Sequence, residues 1–312
     1  MQSRELRETI SRTIVSAIES GGLPPWRTPW RSSKNAGAPV NVISKDAYSG
    51  VNPLLLQIAA QRHGLESRHW GTYQQWKQLG GKVMRRPQHV APGRWGTTIV
   101  FCRPVMKTET DPDGKKIESN YWILRSYTVF NIDQVEGDHL DHLRAGSETI
   151  GDAELDDRFD EADKIVAATG ADIRFGGDRA YFSSTGDYIQ MPRRSQFALP
   201  EFFETLGHEL VHWSEAPHRL NWDRTRPDNS YACGELIAEI GGCYFAAELG
   251  LPVSDRLENH SAYLQHWLQQ MKADPHFIFK AAAQASRAVD FIMSFSRTSE
   301  TEPEPVEEPA MA

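Results

Sequence analysis

The chain is poor in cysteine: Cys102, Cys233 and Cys243 are the three among 312 residues. No two of them form a Cys-x-x-Cys pair, so neither a disulfide framework nor a thiolate zinc cage is indicated, and buried free thiols are expected. Long apolar runs are missing too. None approaches the roughly 18 residues that a bilayer-spanning helix requires, and the first residues form a charged amphipathic stretch without an apolar signal core. A cytoplasmic chain with no membrane partner is expected. Positive charge is in short supply overall, at a net −8, but unevenly so. Residues 1–134 hold 19 Lys and Arg against 10 Asp and Glu, a net +9, and the remainder holds 15 against 32, a net −17. That asymmetry points to a polyanion as partner of the first half, although charge alone fits two solvated surfaces equally well.

What is present divides the chain in two, as its length also predicts. Leu6, Ile10, Ile14 and Ile18 recur every fourth residue, giving one amphipathic helix over 4–20 that Gly21 and Gly22 end. The run Leu23-Pro-Pro-Trp-Arg-Thr-Pro-Trp30 is stiffened by proline and presents Trp26 and Trp30. A helix is expected over 53–63, with Asn52 as N-cap and Pro53 in the first turn, and a shorter one over 72–79. Residues 97–104 and 121–131 read as β-branched and aromatic strands, with Asp111-Pro-Asp-Gly114 as a turn between them. Residues 136–157 are acidic and lack an apolar period, which makes them the expected linker. Beyond them come a helix near 158–169, strands at 172–175, 180–183 and 188–191, and then helices. The tail 299–312 is acidic and proline-rich, with too little apolar surface to fold. The predicted fold class is α+β: a small α+β domain over 1–135, and over 158–298 an α+β domain that resembles a zincin.

The strongest motif is Leu206-Gly-His-Glu-Leu-Val-His-Trp213. His208 and His212, four apart, share one helix face and can share one metal ion; the plainer reading is two surface histidines on an amphipathic helix. Imidazole donors suit Zn2+, with Mn2+ the alternative divalent ion, and Glu209 is the candidate catalytic base, accepting the proton of an attacking water. Tyr231-Ala-Cys-Gly-Glu-Leu-Ile-Ala-Glu-Ile240 reads as a helix with Glu235 and Glu239 on one face, Glu235 lying 23 residues after His212. This resembles the gluzincin arrangement, which implies Glu235 as the third ligand and Glu239 as the carboxylate that orients a histidine. His218 remains the alternative ligand, because it follows His208 by 10 residues, the metzincin spacing. Metzincins carry a glycine where Glu215 stands, although Ala216-Pro217 also breaks a helix. Residues 187–192 are expected as an edge strand beside the cleft, able to pair with a peptide. Tyr188 and Tyr231 are candidate oxyanion donors or simple packing residues.

Six of nine tryptophans lie in the basic half, interleaved with cations. Trp26, Arg27, Trp30, Arg31, Trp70, Trp76, Lys77, Lys82, Arg85 and Arg86 are the expected contacts to single-stranded DNA, with bases stacked on rings and phosphates neutralised by Lys and Arg. Burial in a core is the competing role of each ring. The runs Ile14-Val-Ser-Ala-Ile-Glu-Ser-Gly-Gly-Leu-Pro-Pro-Trp26, Pro39-Val-Asn41, Tyr48-Ser-Gly-Val-Asn-Pro-Leu-Leu-Leu56, Trp70-Gly-Thr-Tyr-Gln-Gln-Trp76, Gly80-Gly-Lys-Val83 and Val129-Phe-Asn-Ile-Asp-Gln134 together resemble the N-terminal domain of ArdC-type antirestriction proteins and TraC-type plasmid primases. The His-Glu-x-x-His and Glu-Leu-Ile-Ala-Glu segments resemble the metallopeptidase domain of the same ArdC family. Two departures are visible: Met84-Arg-Arg-Pro87 replaces the family's glycine-containing turn, and the residues after His212 differ from its common Trp-Thr-Gly-His run. The resemblance implies single-stranded DNA binding by the first domain, a zincin-like second domain, and protection of incoming plasmid or phage DNA from host restriction. A host restriction component is then the candidate protein substrate. The runner-up is DNA masking alone, with a structural metal site; primase activity is weaker still, as no acidic polymerase motif is recognisable.

Overall fold

The computed structural model describes residues 3–21, 23–27, 33–110, 116–146, 150–223, 231–253 and 261–299, and of residues 3, 102–110, 116–123, 261–262 and 297–299 only the backbone. Helix and sheet are mixed throughout, as expected for an α+β chain. The N-terminal half runs α1 (Ser3–Glu19), β1 (Val40–Asn41), α2 (Asn52–His63), β2 (His69–Thr72), α3 (Tyr73–Gln78), β3 (Lys82–Val83), β4 (Thr97–Thr110), β5 (Lys116–Asn131) and β6 (Val135–Glu136). Strands β1, β2, β5 and β4 form one sheet in that order, parallel between β1 and β2 and antiparallel thereafter. Its longest feature is the β4–β5 ribbon, in which Thr97 pairs with Val129 and Phe101 with Arg125. The turn expected at 111–114 lies outside the described residues, as do Trp30, Arg31 and the tail from 300 onward.

Local chemistry accounts for several boundaries. Thr72 caps α3 through a reciprocal box with Gln75, satisfying two backbone donors at once. Asn52, by contrast, is not the N-cap of α2. Its amide makes a two-way bond with the backbone of Val100 on β4, both at 2.8 Å, so it ties helix to sheet, and Val51 takes the cap position.

The second half contains α4 (Asp152–Ala168), β7 (Asp172–Phe175), β8 (Tyr181–Ser183), β9 (Tyr188–Met191), α5 (Leu199–Ser214), α6 (Tyr231–Glu248), α7 (Ser261–Ala273) and α8 (Phe277–Ser299). Its sheet has the order β7-β9-β8, with β9 parallel to β7 and antiparallel to β8. The strand expected at the edge, 187–192, is therefore central, and β8 takes the edge. Alternation alone does not reveal this, because strand order is a long-range property.

The expected loose linker also differs. Residues 138–143 form a 3-10 helix with Leu140 and Leu143 buried, and these two join Val42, Trp76, Ile132 and Val135 in a small core. Two turns of 3-10 helix are too short to show an apolar period. Nor does each half keep to its own core. Leu6, Ile10 and Ile14 of α1 and Leu54 of α2 are continuous with Phe203 of α5, Ile237 of α6, Trp267 of α7 and Ile292 of α8. Ser11 of α1 donates to the carbonyl of Met271 at 3.1 Å, and the hydroxyl of Tyr244 to that of Gly50 at 2.9 Å. Cys233 and Cys243 are buried free thiols, as expected. Among the described residues no helix is long and apolar enough to cross a membrane.

Candidate metal centre

The motif helix α5 starts after Ala198, with Pro200 in its first turn, where the missing N–H costs nothing. Phe202, Phe203, Leu206, Leu210 and Val211 are buried along it, which leaves His208 and His212 to face the neighbouring α6. The two Nε2 atoms lie 3.2 Å apart. Glu235 of α6 places one carboxylate oxygen 3.6 Å from each of them. These three side chains hold donor atoms within 4.8 Å of one another, the one such group among the described residues. Two imidazoles and a carboxylate converging this closely fit a divalent cation of the Zn2+ or Mn2+ kind.

Electrostatics agree with that fit. Burial lowers the proton affinity of His208, but its bond to Glu235 and the carboxylates of Glu209 and Glu239 outweigh burial and raise it. Burial raises Glu235, and the two histidines reverse this and lower it. Glu209 is 7% exposed, and burial pushes its carboxyl above the usual range even though His208 and His212 pull it down. Its carboxylate takes the backbone N–H of Phe182, the middle residue of edge strand β8. Tyr231 is 72% exposed, and its hydroxyl bonds to Tyr263 and Glu235, which raises its pKa.

A carboxylate that the sequence reading did not single out stands beside a histidine. Glu215, three residues after His212, lies 3.5 Å from His212 Nδ1, where it can fix the ring's tautomer. A carboxylate at i+3 on the motif helix was the signal for it. Glu239 accepts from Trp26 Nε1 at 3.2 Å and from Arg27 Nε at 2.6 Å. Arg27, 1% exposed, also pairs with Glu204 at 2.6 Å. Glu204 stands one turn before His208 and Glu239 one turn after Glu235, so a single guanidinium ties together the two helices that carry the donors. Burial opposes its charge, and the carboxylates around it more than compensate. His218 is elsewhere: 62% exposed, it lies 3.2 Å from Asp187 and 2.7 Å from Arg219 Nη1, outside the donor group.

Several expected DNA contacts are corrected in the same way. Trp26, Trp70 and Trp76 are 3%, 2% and 0% exposed, and Arg27 is spent on its two glutamates, so none of the four is available to a strand. The ring of Trp76 fills the small core and donates to the carbonyl of Phe130 at 2.9 Å. Lys77, Lys82, Arg85 and Arg86 are exposed; Lys82 pairs with Glu136 at 3.0 Å, and Arg86 donates to the carbonyls of Pro87 and Val90. Among the described residues of this half, the exposed aromatics are Tyr73, Phe101 and Tyr127, at 53%, 58% and 44%. Phe101, opposite Arg125, and Tyr127, opposite Ile99, share one face of the ribbon. Their signal was an aromatic beside a cation on alternating strand positions.

Metal donors on two adjacent helices, beside a short sheet whose edge strand bonds the motif glutamate, make the second half a zincin-like metallopeptidase domain, and residues 160–284 match the family of that description. Residues 4–130 match the N-terminal domain of anti-restriction factor ArdC. The crystal structure of the antirestriction ArdC protein from plasmid R388 is similar in both metal-free and Mn(II)-bound forms. Identity is 36% in each case, with TM-scores of 0.72 and 0.68, covering 94% and 93% of this chain and 98% of the other. An uncharacterized protein of Sinorhizobium fredii, y4eC, is 32% identical over 92% of this chain and 91% of its own length. A DNA primase TraC of Escherichia coli is 30% identical over 94% of this chain, which spans 27% of the primase. The chain belongs to the ArdC antirestriction family.

Proposed function

We propose that this protein holds single-stranded DNA with its basic half and cleaves a peptide bond in a host protein, so that incoming plasmid or phage DNA escapes restriction. The similar R388 protein is an antirestriction protein, and a restriction subunit is the substrate we infer. The observation that carries the enzymatic reading is Glu209: buried beside the donors, outside their group, and anchored to β8. A purely structural metal site has no use for a buried base at that point.

His208, His212 and Glu235 would hold the cation, which when bound supplies Lewis acidity to the carbonyl under attack. Edge strand β8 would align an extended substrate by strand addition. Glu209, with its raised proton affinity, takes the proton of the attacking water and delivers it to the leaving amine. Tyr231, exposed at the rim beside Glu235, would donate its hydroxyl to the developing oxyanion. In the other half, Phe101 and Tyr127 offer stacking surfaces to bases, and Arg125 with the exposed Lys77, Lys82 and Arg85 serves phosphates.

Glu209→Gln tests the reading. It keeps volume and donors, so metal content and DNA binding should stay near native while hydrolysis of a purified restriction subunit falls at least about a hundredfold. If the variant protects incoming DNA as fully as the native protein, DNA masking replaces proteolysis as the mechanism.

A further inference from the structure

The seam between the halves encloses a cavity of about 230 Å3, lined from one side by α2 and the segments around it and from the other by α4, α6 and α8. None of His208, Glu209, His212 or Glu235 lines it. Its walls are mostly apolar, with Leu56 and Ala60 of α2 and Val289 and Met293 of α8. Gln57 and Gln61, one helical turn apart, add amides.

Two arginines converge on this space. Arg158 is already engaged, donating to the carbonyl of Gly250 at 2.9 Å and to Glu154 at 3.3 Å. Arg68 is not: its Nε is buried and has no hydrogen-bond partner. Burial lowers its pKa, and Arg158 adds to this, beyond what the attraction of Glu248 restores. A desolvated guanidinium with an orphan donor is expensive unless an anion meets it.

We infer that this cavity binds a small molecule with one carboxylate on an apolar, ring-sized body, the carboxylate on the Arg68 guanidinium and the ring between α2 and α8. The planar guanidinium fork suits a carboxylate. A monoanion is favoured over a phosphate dianion, because three carboxylates, Glu66, Glu248 and Asp290, share the walls with the two arginines and repel the second charge. The volume is close to that of the smaller ligand sites, roughly 300 Å3 and upward. This site is independent of the proposed chemistry at the metal centre.

Calorimetric titration of the full-length protein with indole-3-acetate as probe, and with inorganic phosphate and thymidine 5′-monophosphate as comparators, tests it. The expected result is saturable 1:1 binding of the indole acid, stronger than either comparator, and at least about tenfold weaker in Arg68→Met, the usual effect of losing a charged hydrogen bond. Ala60→Phe, which fills the cavity from α2 and leaves the guanidinium intact, should abolish binding and decides the matter if Arg68→Met does not fold. Metal content, unchanged in both variants, shows that neither acts through the other site. Absence of saturable binding to the native protein, tighter binding of either comparator, or native affinity in Ala60→Phe would overturn the assignment.

Discussion

At the scale of single residues, the metal centre depends on which carboxylate stands next to which imidazole. His208→Ala and Glu235→Ala should each lose most of the bound metal, because each removes one of three converging donors. His218→Ala should retain it, since His218 pairs with Asp187 at the surface. Metal analysis after dialysis distinguishes the two outcomes, and normal metal in Glu235→Ala with loss in His218→Ala would reverse the assignment. Glu215→Gln should weaken metal binding by about 10–100-fold, the typical effect of removing a carboxylate behind a ligating histidine. Arg27 poses a different question. Arg27→Met takes the cation away from the buried Glu239 and the half-buried Glu204, a loss on the order of 3–5 kcal/mol. Thermal denaturation should show it directly.

At the scale of elements, the donors meet because α5 and α6 approach unusually closely. A Cβ on Gly242 would lie 3.1 Å from the backbone nitrogen of His208 and 3.3 Å from the carbonyl of Glu204, and backbone cannot step aside as a side chain can. Gly242→Ala should therefore push the helices apart, cost about 1–3 kcal/mol and lower metal affinity with every ligand still present. A competition titration with a chelator measures the second effect; unchanged affinity would mean that the helix spacing is not what sets the site. The β4–β5 ribbon is the matching element of the other half. Replacing Phe101 and Tyr127 together by Ala should weaken single-stranded DNA binding by about 2–6 kcal/mol if each stacks one base at roughly 1–3 kcal/mol, with little loss of stability because both rings are exposed. Fluorescence anisotropy with a labelled oligonucleotide measures it.

At the scale of the whole molecule, the two halves behave as one packed body. The apolar stripe of α1 lies in the core that α5, α6 and α8 also build, so a fragment ending at residue 135 exposes that stripe. It should aggregate or unfold at temperatures where the full chain is stable, as light scattering during a thermal ramp will show. The full chain should bind single-stranded DNA with an affinity that falls steeply with salt, because its first half carries the positive charge. Arg27 reaches from that half to both donor-bearing helices, which links the first half mechanically to the candidate metal centre.

The sequence by itself determined whatever is local. The fourfold apolar repeat predicted α1, the spacing of His208 and His212 placed two donors on one helix face, and the asymmetry of charge is plain from composition. Turn and cap chemistry put the ends of α1, α2 and α3 within one residue, whereas α4 begins at Asp152, ahead of the expected 158 and inside the expected linker. Tertiary structure alone decided what each side chain faces. Whether a tryptophan beside an arginine stacks on a base or fills a core is settled by elements far away in the chain, and for Trp26 and Arg27 those elements are α5 and α6. The same holds for Glu239, whose partners include a guanidinium brought from 212 residues upstream. Strand order, the burial of residues 138–143 and the cavity at the seam depend on the same long-range packing, which leaves no periodic trace in any one segment.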